Sequence, residues 1–160
     1  MRFSRARPHP LAELVEREEV VYGLCLREAT RLPWGPPAAA LRALVAHANE
    51  SLDDLRRLAR ARRIRTGSAR AVALDALGRL VDRLTGRLPI ARESSVARML
   101  AAVRASLEGA RALRVAADEA GDVALVRWSE RWLSTRMRLA KEAAIELAGL
   151  GRASAVARPV

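Results

Sequence analysis

Glu18, Arg114 and Arg136 are charges that fall inside otherwise apolar stripes of this sequence. An unpaired ion is costly to bury, so side chains of this kind that lie inside a fold must pair or neutralise. One carboxylate and two guanidinium groups, drawn from three separate segments, would make a buried ionic cluster. The alternative is that these long side chains run along the edge of the stripe and carry their charges out to water.

A second constellation is basic. Arg56, Arg57, Arg60, Arg62, Arg63 and Arg65 crowd the end of one helical segment. There they would either contact phosphates or anionic headgroups, or complement the negative end of the helix dipole with no partner at all. No aromatic residue interleaves with them to stack a base, and no helix-turn-helix pattern places them in a groove.

Residue types that commonly carry catalysis are sparse. His9 and His47 are the two histidines, and His47 stands beside Asn49, Glu50 and Asp54 on a polar flank, as a solvated side chain would. Ser94 and Ser95 read as helix caps, and Ser129 lacks the strand-turn-helix context of an activated nucleophile. Trp128 and Trp132, one turn apart, read as packing in the core or at a subunit contact. Cys25 is the single cysteine. It rules out an intrachain disulfide and a cysteine-based metal site, and in an apolar stripe it behaves as a small hydrophobe. There is no glycine-rich phosphate loop and no dinucleotide fingerprint.

The elements that would position these residues are helical. The chain has 160 residues, 51% hydrophobic and only 3% aromatic, enough for one domain with a core of its own. Leu, Ala and Val dominate without β-branched runs, which favours helix over strand. A net charge of +11 and a pI near 11.5 raise a polyanion as partner. Lys141 is the only lysine among 29 cations, however, and so strong an arginine bias also follows from GC-rich coding. No apolar run approaches the roughly 20 residues that span a bilayer. Met1 to Pro10 carries Arg2, Arg5 and Arg7 with no uninterrupted apolar stretch behind them, so a cytoplasmic location without membrane insertion is expected.

Pro8 and Pro10, Pro33 to Pro37, Thr66-Gly67-Ser68, Gly86 to Pro89 and Gly121-Asp122 punctuate the chain. Between them the spacing predicts helices near 10–31, 37–64, 69–86, 93–119 and 122–149. This gives a basic arm over 1–9, one bundle domain over 10–150 and a frayed tail of small residues over 151–160. The inward stripes run Leu11, Leu14, Val15, Glu18, Val21, Tyr22, Cys25; then Leu41, Leu44, Val45, Ala48, Leu52, Leu55, Ala59. The third segment is short, with Ala73, Leu77, Leu80, Val81 and Leu84, and suits a crossover piece. The fourth stripe runs Val96, Met99, Leu100, Val103, Leu107, Ala110, Arg114, Ala117, and the fifth Leu125, Trp128, Ser129, Trp132, Arg136, Leu139, Ala143, Leu147, Leu150. The last helix adds a second apolar strip through Val126, Leu133, Met137, Ala140 and Ala144, as a central or interface helix would.

Two helices, a long connection holding a short helix, and two more long helices joined by a Gly-Asp turn resemble the ferritin-like four-helix bundle. The run His47-Ala48-Asn49-Glu50-Ser51-Leu52-Asp53-Asp54-Leu55 looks like that family's ligand helix, in which a Glu is followed three residues later by a His; here that position is Asp53. Glu108-Gly109-Ala110 through Ala116-Ala117-Asp118-Glu119-Ala120-Gly121-Asp122 is similar to the third-to-fourth helix junction of rubrerythrin-type proteins. The resemblance covers about 11–63 and 93–149. It implies an all-α fold, a ferritin-like four-helix bundle with a short extra helix in the crossover connection, and in metal-bearing members a di-iron site.

Such a site needs inward carboxylates from two helices and a Glu-x-x-His pair from each of the other two. This chain has Ser134, Thr135, Met137 and Arg138 around the expected ligand turn, and its Glu50 and Asp53 turn away from the Leu41 to Leu55 seam. The expectation is therefore a bundle with no cofactor, in which a guanidinium has taken the place of the cation. It would act through protein association, as a homodimer on the last or first helix. The alternatives are a nucleic-acid or other polyanion binder using the six arginines, and a metal-dependent oxidoreductase of the ferritin-like kind.

Overall fold

The computed structural model describes residues 9–32, 38–66 and 89–156. Among them are four helices and no strand: α1 (Pro10–Arg31), α2 (Ala39–Ala61), α3 (Pro89–Glu119) and α4 (Val123–Val156). Of the expected basic arm over 1–9 all but His9, and the whole short helix at 69–86, lie outside the described residues. The last two elements are longer than their spacing implied. α3 already starts at Pro89, so Ser95 is an interior residue and not a cap, and the stretch from 151 is helical as far as Val156. No helix among the described residues is long and apolar enough to cross a membrane.

α1 packs on α2 and α3, and α4 packs on the same two, so α1 faces α4 across one diagonal of a square bundle. Contacts set the directions. Arg17 meets Ala105 and Glu28 meets Ser95, so α1 and α3 are antiparallel. Ala40 meets Glu146 and Arg62 meets Asp122, so α2 and α4 are antiparallel as well. The C-terminus of α2 and the N-terminus of α3 consequently sit at opposite ends of the bundle.

Five of the helix ends are closed by specific devices. His9 Nδ1 accepts the Leu11 N–H at 3.1 Å, and Pro10 follows with its φ already helical. α2 has no cap of its own. Its N–H groups at Ala40 and Leu41 instead donate to the Glu146 carboxylate of α4 at 3.0 and 3.3 Å, which also sets a negative charge at the positive end of the helix. α2 was expected to run to residue 64 but stops at Ala61, where Ile64 N–H reaches back to the Ala59 carbonyl and Arg63 N–H to that of Arg60. That is a Schellman turn with Arg63 in the left-handed position at φ 55°. The α3–α4 turn repeats the device with Gly121 at φ 68°. Asp122 then serves both sides: one oxygen caps Leu125 N–H at 3.0 Å, and the other takes Arg62 Nη2 at 2.6 Å.

The apolar interior is split into two clusters. One holds Val21, Cys25, Leu41, Leu44, Met99, Val103 and Leu139. The other holds Leu11, Leu14, Val15, Leu55, Leu113, Leu125 and Trp132. Between them every helix contributes a buried polar residue, Glu18, Ser51, Ser106 and Arg136, while buried Ser129 stands between Leu125 and Trp132 of the second cluster. α1 and α3 come close beside this layer, where Arg17 crosses Gly109 to donate to the Ala105 carbonyl at 2.6 Å; a Cβ on Gly109 would sit 3.1 Å from Arg17 Cδ.

Arg63 holds a backbone conformation that an L side chain adopts only at a cost of about 1 kcal/mol. Arg63→Gly is therefore expected to stabilise the protein by roughly that amount, read as a raised urea midpoint at unchanged slope. A lowered midpoint would mean the Arg63 side chain contributes more than its backbone costs.

A candidate functional site at the polar layer

Glu18 and Arg136 are both fully buried, and each emerges from the apolar seam of its own helix. Because α1 and α4 are diagonal partners, the two side chains meet at the bundle axis, where Arg136 Nη2 donates to Glu18 Oε2. The other carboxylate oxygen accepts the Ser106 hydroxyl of α3. Opposite charge and two donors favour the ionised carboxylate, yet burial pushes the Glu18 carboxyl above its ordinary range more strongly than Arg136 and Ser106 pull it down. Burial likewise draws the Arg136 guanidinium down, against the pull of Glu18. Each partner opposes the shift that burial imposes on the other.

The guanidinium has a second neighbour. Its Cζ lies 4.8 Å from the centroid of the Trp132 ring, close enough for cation–π attraction. Trp132 Nε1 donates to Ser51 Oγ at 2.7 Å, and Ser51 Oγ donates in turn to the His47 carbonyl at 2.5 Å. Trp128 stacks on Trp132 with centroids 6.2 Å apart, and the His47 ring lies 5.9 Å from it on the opposite helix. His47 is thus half-buried against Trp132 and is not the solvated side chain its neighbours implied. Burial first, then the positive charges of Arg136 and Arg138, lower its pKa to about 4, so it is neutral at physiological pH.

Arg114 does not join the cluster. It is partly exposed, and Leu113 takes the inward position beside it. The inward seam of α3 is Met99, Val103, Ser106, Ala110, Leu113, Ala117, alternating steps of four and three. Counting four from Ala110 lands on Arg114, whereas the helix turns Leu113 inward. Ser106, passed over because it is polar, is the true α3 contribution. Its position three residues past Val103 and four before Ala110 is the spacing signal the sequence holds.

A related contact lies three turns away on α3. Ser95 Oγ donates to Glu28 Oε1 at 2.5 Å, and Arg31 Nη1 donates to the same oxygen at 2.9 Å. Carboxylate, serine and arginine therefore recur along the α1–α3 contact. Cys25 lies between the two carboxylates in sequence and is buried; burial pushes its thiol up to about 12, so it stays protonated and unreactive.

Residues of the α2 arginine run are divided among partners. Arg56 pairs with Glu19 of α1 at 2.9 Å, Arg57 with Asp54, and Arg62 with Asp122. Hydrogen bonding from Arg62 and then Leu125 N–H holds the Asp122 carboxyl below its ordinary range. Arg60, Arg63 and Arg65 are exposed. Glu50 and Asp53 are exposed on α2, and no group of three or more His, Cys, Asp or Glu among the described residues could hold a metal ion. A di-iron centre does not fit this donor set, since the axis presents one carboxylate already bound to a guanidinium.

Removing one member of the pair leaves the other buried and uncompensated. Glu18→Gln and Arg136→Met are each expected to destabilise by about 3 kcal/mol or more, while Glu18→Leu with Arg136→Met together falls within about 2 kcal/mol of the parent. Denaturant titration of the set checks this, and additive losses would mean the two groups do not depend on each other.

His47 gives a pH signature. Its folded pKa of about 4 lies below the ordinary 6.5, so the unfolded chain binds more protons between those values. The stability this group contributes is full above pH 6.5 and is lost as pH falls toward 4. Glu18, raised in the fold, acts in the opposite sense, so the difference between the parent and His47→Phe isolates the histidine. That difference is expected to change across this window, and a pH-independent one would refute the burial argument.

The chain matches no protein-family model, no curated protein and no solved structure.

Proposed function

We propose that this protein is a non-catalytic four-helix bundle of ferritin-like architecture, working in the cytoplasm through protein association as a homodimer. The observation that carries the reading is Arg136, fully buried at the bundle axis and paired with Glu18. In metal-bearing bundles that position holds ions between inward carboxylates. Here a fixed cation of the chain itself fills it, and the described residues offer no carboxylate set for iron there. The architecture is supported by the antiparallel pairs α1–α3 and α2–α4 and by a single connection that joins opposite ends of the bundle, as one long crossover does in ferritin-like folds.

Association is supported by the outer surface of the α3–α4 hairpin. Val115, Met137 and Ile145 are 47%, 47% and 61% exposed. Arg111 Nη2 of α3 lies 3.8 Å from Met137 Sδ of α4, so that contact spans the hairpin. Large apolar side chains exposed on both helices of the hairpin are the feature a protein partner would cover.

A polyanion reading has one supporting observation: Arg60, Arg63 and Arg65 remain exposed at the end of α2. The ion pairs of Arg56, Arg57 and Arg62 work against it, because half of the run is already neutralised within the chain.

Sedimentation velocity at micromolar concentration separates the readings. A dimer that dissociates in Val115→Glu/Met137→Glu is the expected result, and a monomer at every concentration would remove the association reading. Co-sedimentation with a DNA duplex at low salt, lost steeply as salt rises, would instead favour the polyanion reading.

A further inference from the structure

The polar layer leaves four buried atoms with no hydrogen-bond partner: Arg136 Nε and Nη1, Ser129 Oγ and His47 Nδ1. Buried donors and acceptors are almost always satisfied, so four orphans in one region call for a common cause. Three of the four belong to Arg136 and His47, which both lie against Trp132. Arg136 Cζ lies 4.8 Å from its ring and the His47 ring 5.9 Å from it. Ser129 precedes Trp132 by three residues and Arg136 by seven on the buried face of α4. Helical side chains lean toward the N-terminus, so the Arg136 head group reaches back along this face toward Ser129.

Trp132 does not itself answer the need. A cation over an aromatic ring is attracted through the face of the guanidinium, whereas the N–H bonds lie in its plane and point sideways. Glu18 takes one of these through Nη2. The Nε and Nη1 donors still require acceptors in that plane.

We infer that the centre of the bundle is an internal water site, bounded by Arg136 Nε and Nη1, Ser129 Oγ and His47 Nδ1. The donor count selects water. Two guanidinium nitrogens donate; neutral His47 accepts at Nδ1 when its other nitrogen carries the proton, and the serine hydroxyl also accepts. A water molecule, or a short chain of them, accepts from the first pair and donates to the second, meeting the two to four polar partners a buried water needs. A small anion could accept from the arginine and from the serine hydroxyl, but would leave His47 Nδ1 as an unmet acceptor. It would also set a second negative charge beside the Glu18 carboxylate in a buried site, with only one guanidinium to balance both. The inference is independent of how the outer faces of the bundle are used.

Oxygen-17 relaxation dispersion of the whole protein detects waters held for nanoseconds or longer, and a water cross-peak to the Arg136 Nε–H locates one. The parent is expected to show both. His47→Phe/Ser129→Ala, which keeps an aromatic ring against Trp132 and leaves the Glu18–Arg136 pair intact, is expected to hold fewer long-lived waters and to weaken the cross-peak. Two results would overturn the assignment. The first is a slowly exchanging Arg136 Nε–H with no water cross-peak in the parent, or with one unchanged in the folded double variant. The second is a chloride-specific rise in melting temperature, absent with gluconate and absent in Arg136→Met, which would make the occupant an anion.

Discussion

Opposite charge at the bundle axis is the constraint around which the rest of this fold is arranged. Glu18 and Arg136 reach the axis only if α1 and α4 are diagonal partners in a fixed axial register, because neither buried ion tolerates being left alone. Apolar contacts alone would not impose this, since Leu, Ala and Val seams slide past one another at modest cost. The pair contributes little net stability after the desolvation of both groups, but it separates one register sharply from its neighbours. Ser106 and the Trp132–Ser51 contact extend that selection to α3 and α2, so all four helices are keyed in one layer.

The same logic of one element completing another governs the ends. The N–H groups at the start of α2 are met by Glu146 from α4, and the end of α2 is tied by Arg62 to the aspartate that caps α4. These contacts lie at opposite ends of the α2–α4 pair. With the central layer they hold that interface at top, middle and bottom. The α1–α3 interface is held comparably by Glu18–Ser106 at the centre and Glu28–Ser95 toward one end.

Part of the chain's strong positive charge is engaged within the fold. Arginines are spent on structure at several depths: Arg136 at the axis, Arg17 on a backbone carbonyl across Gly109, Arg31 on Glu28, and Arg56 and Arg62 between helices. Arginine suits these places because its planar fork donates in several directions and holds its charge at any accessible pH.

Periodicity in the sequence determined that the chain is helical, where α1 and α2 lie, that Gly121-Asp122 separates the last two helices, and that Glu18 and Arg136 fall within apolar stripes, leaving open whether they are buried or run out to water. Each follows from local propensity or from spacing along a single helix. What the tertiary structure decided is which groups meet. Ser106, Ser51, Ser95 and Glu28 are polar and so carry no mark of burial in a hydrophobic pattern; they are inside because a partner on another helix satisfies them. Arg114 was misplaced by one residue, since steps of three and four are equally allowed along a helix face and only the packing of α3 selects Leu113. His47 looked solvated from its neighbours in sequence, but Trp132 of another helix covers it. The sequence by itself specified which helix faces are apolar. The structure alone specified the pairing across them, because hydrogen bonds and ion pairs between residues 67 to 118 positions apart depend on relative helix placement, and no local rule encodes that.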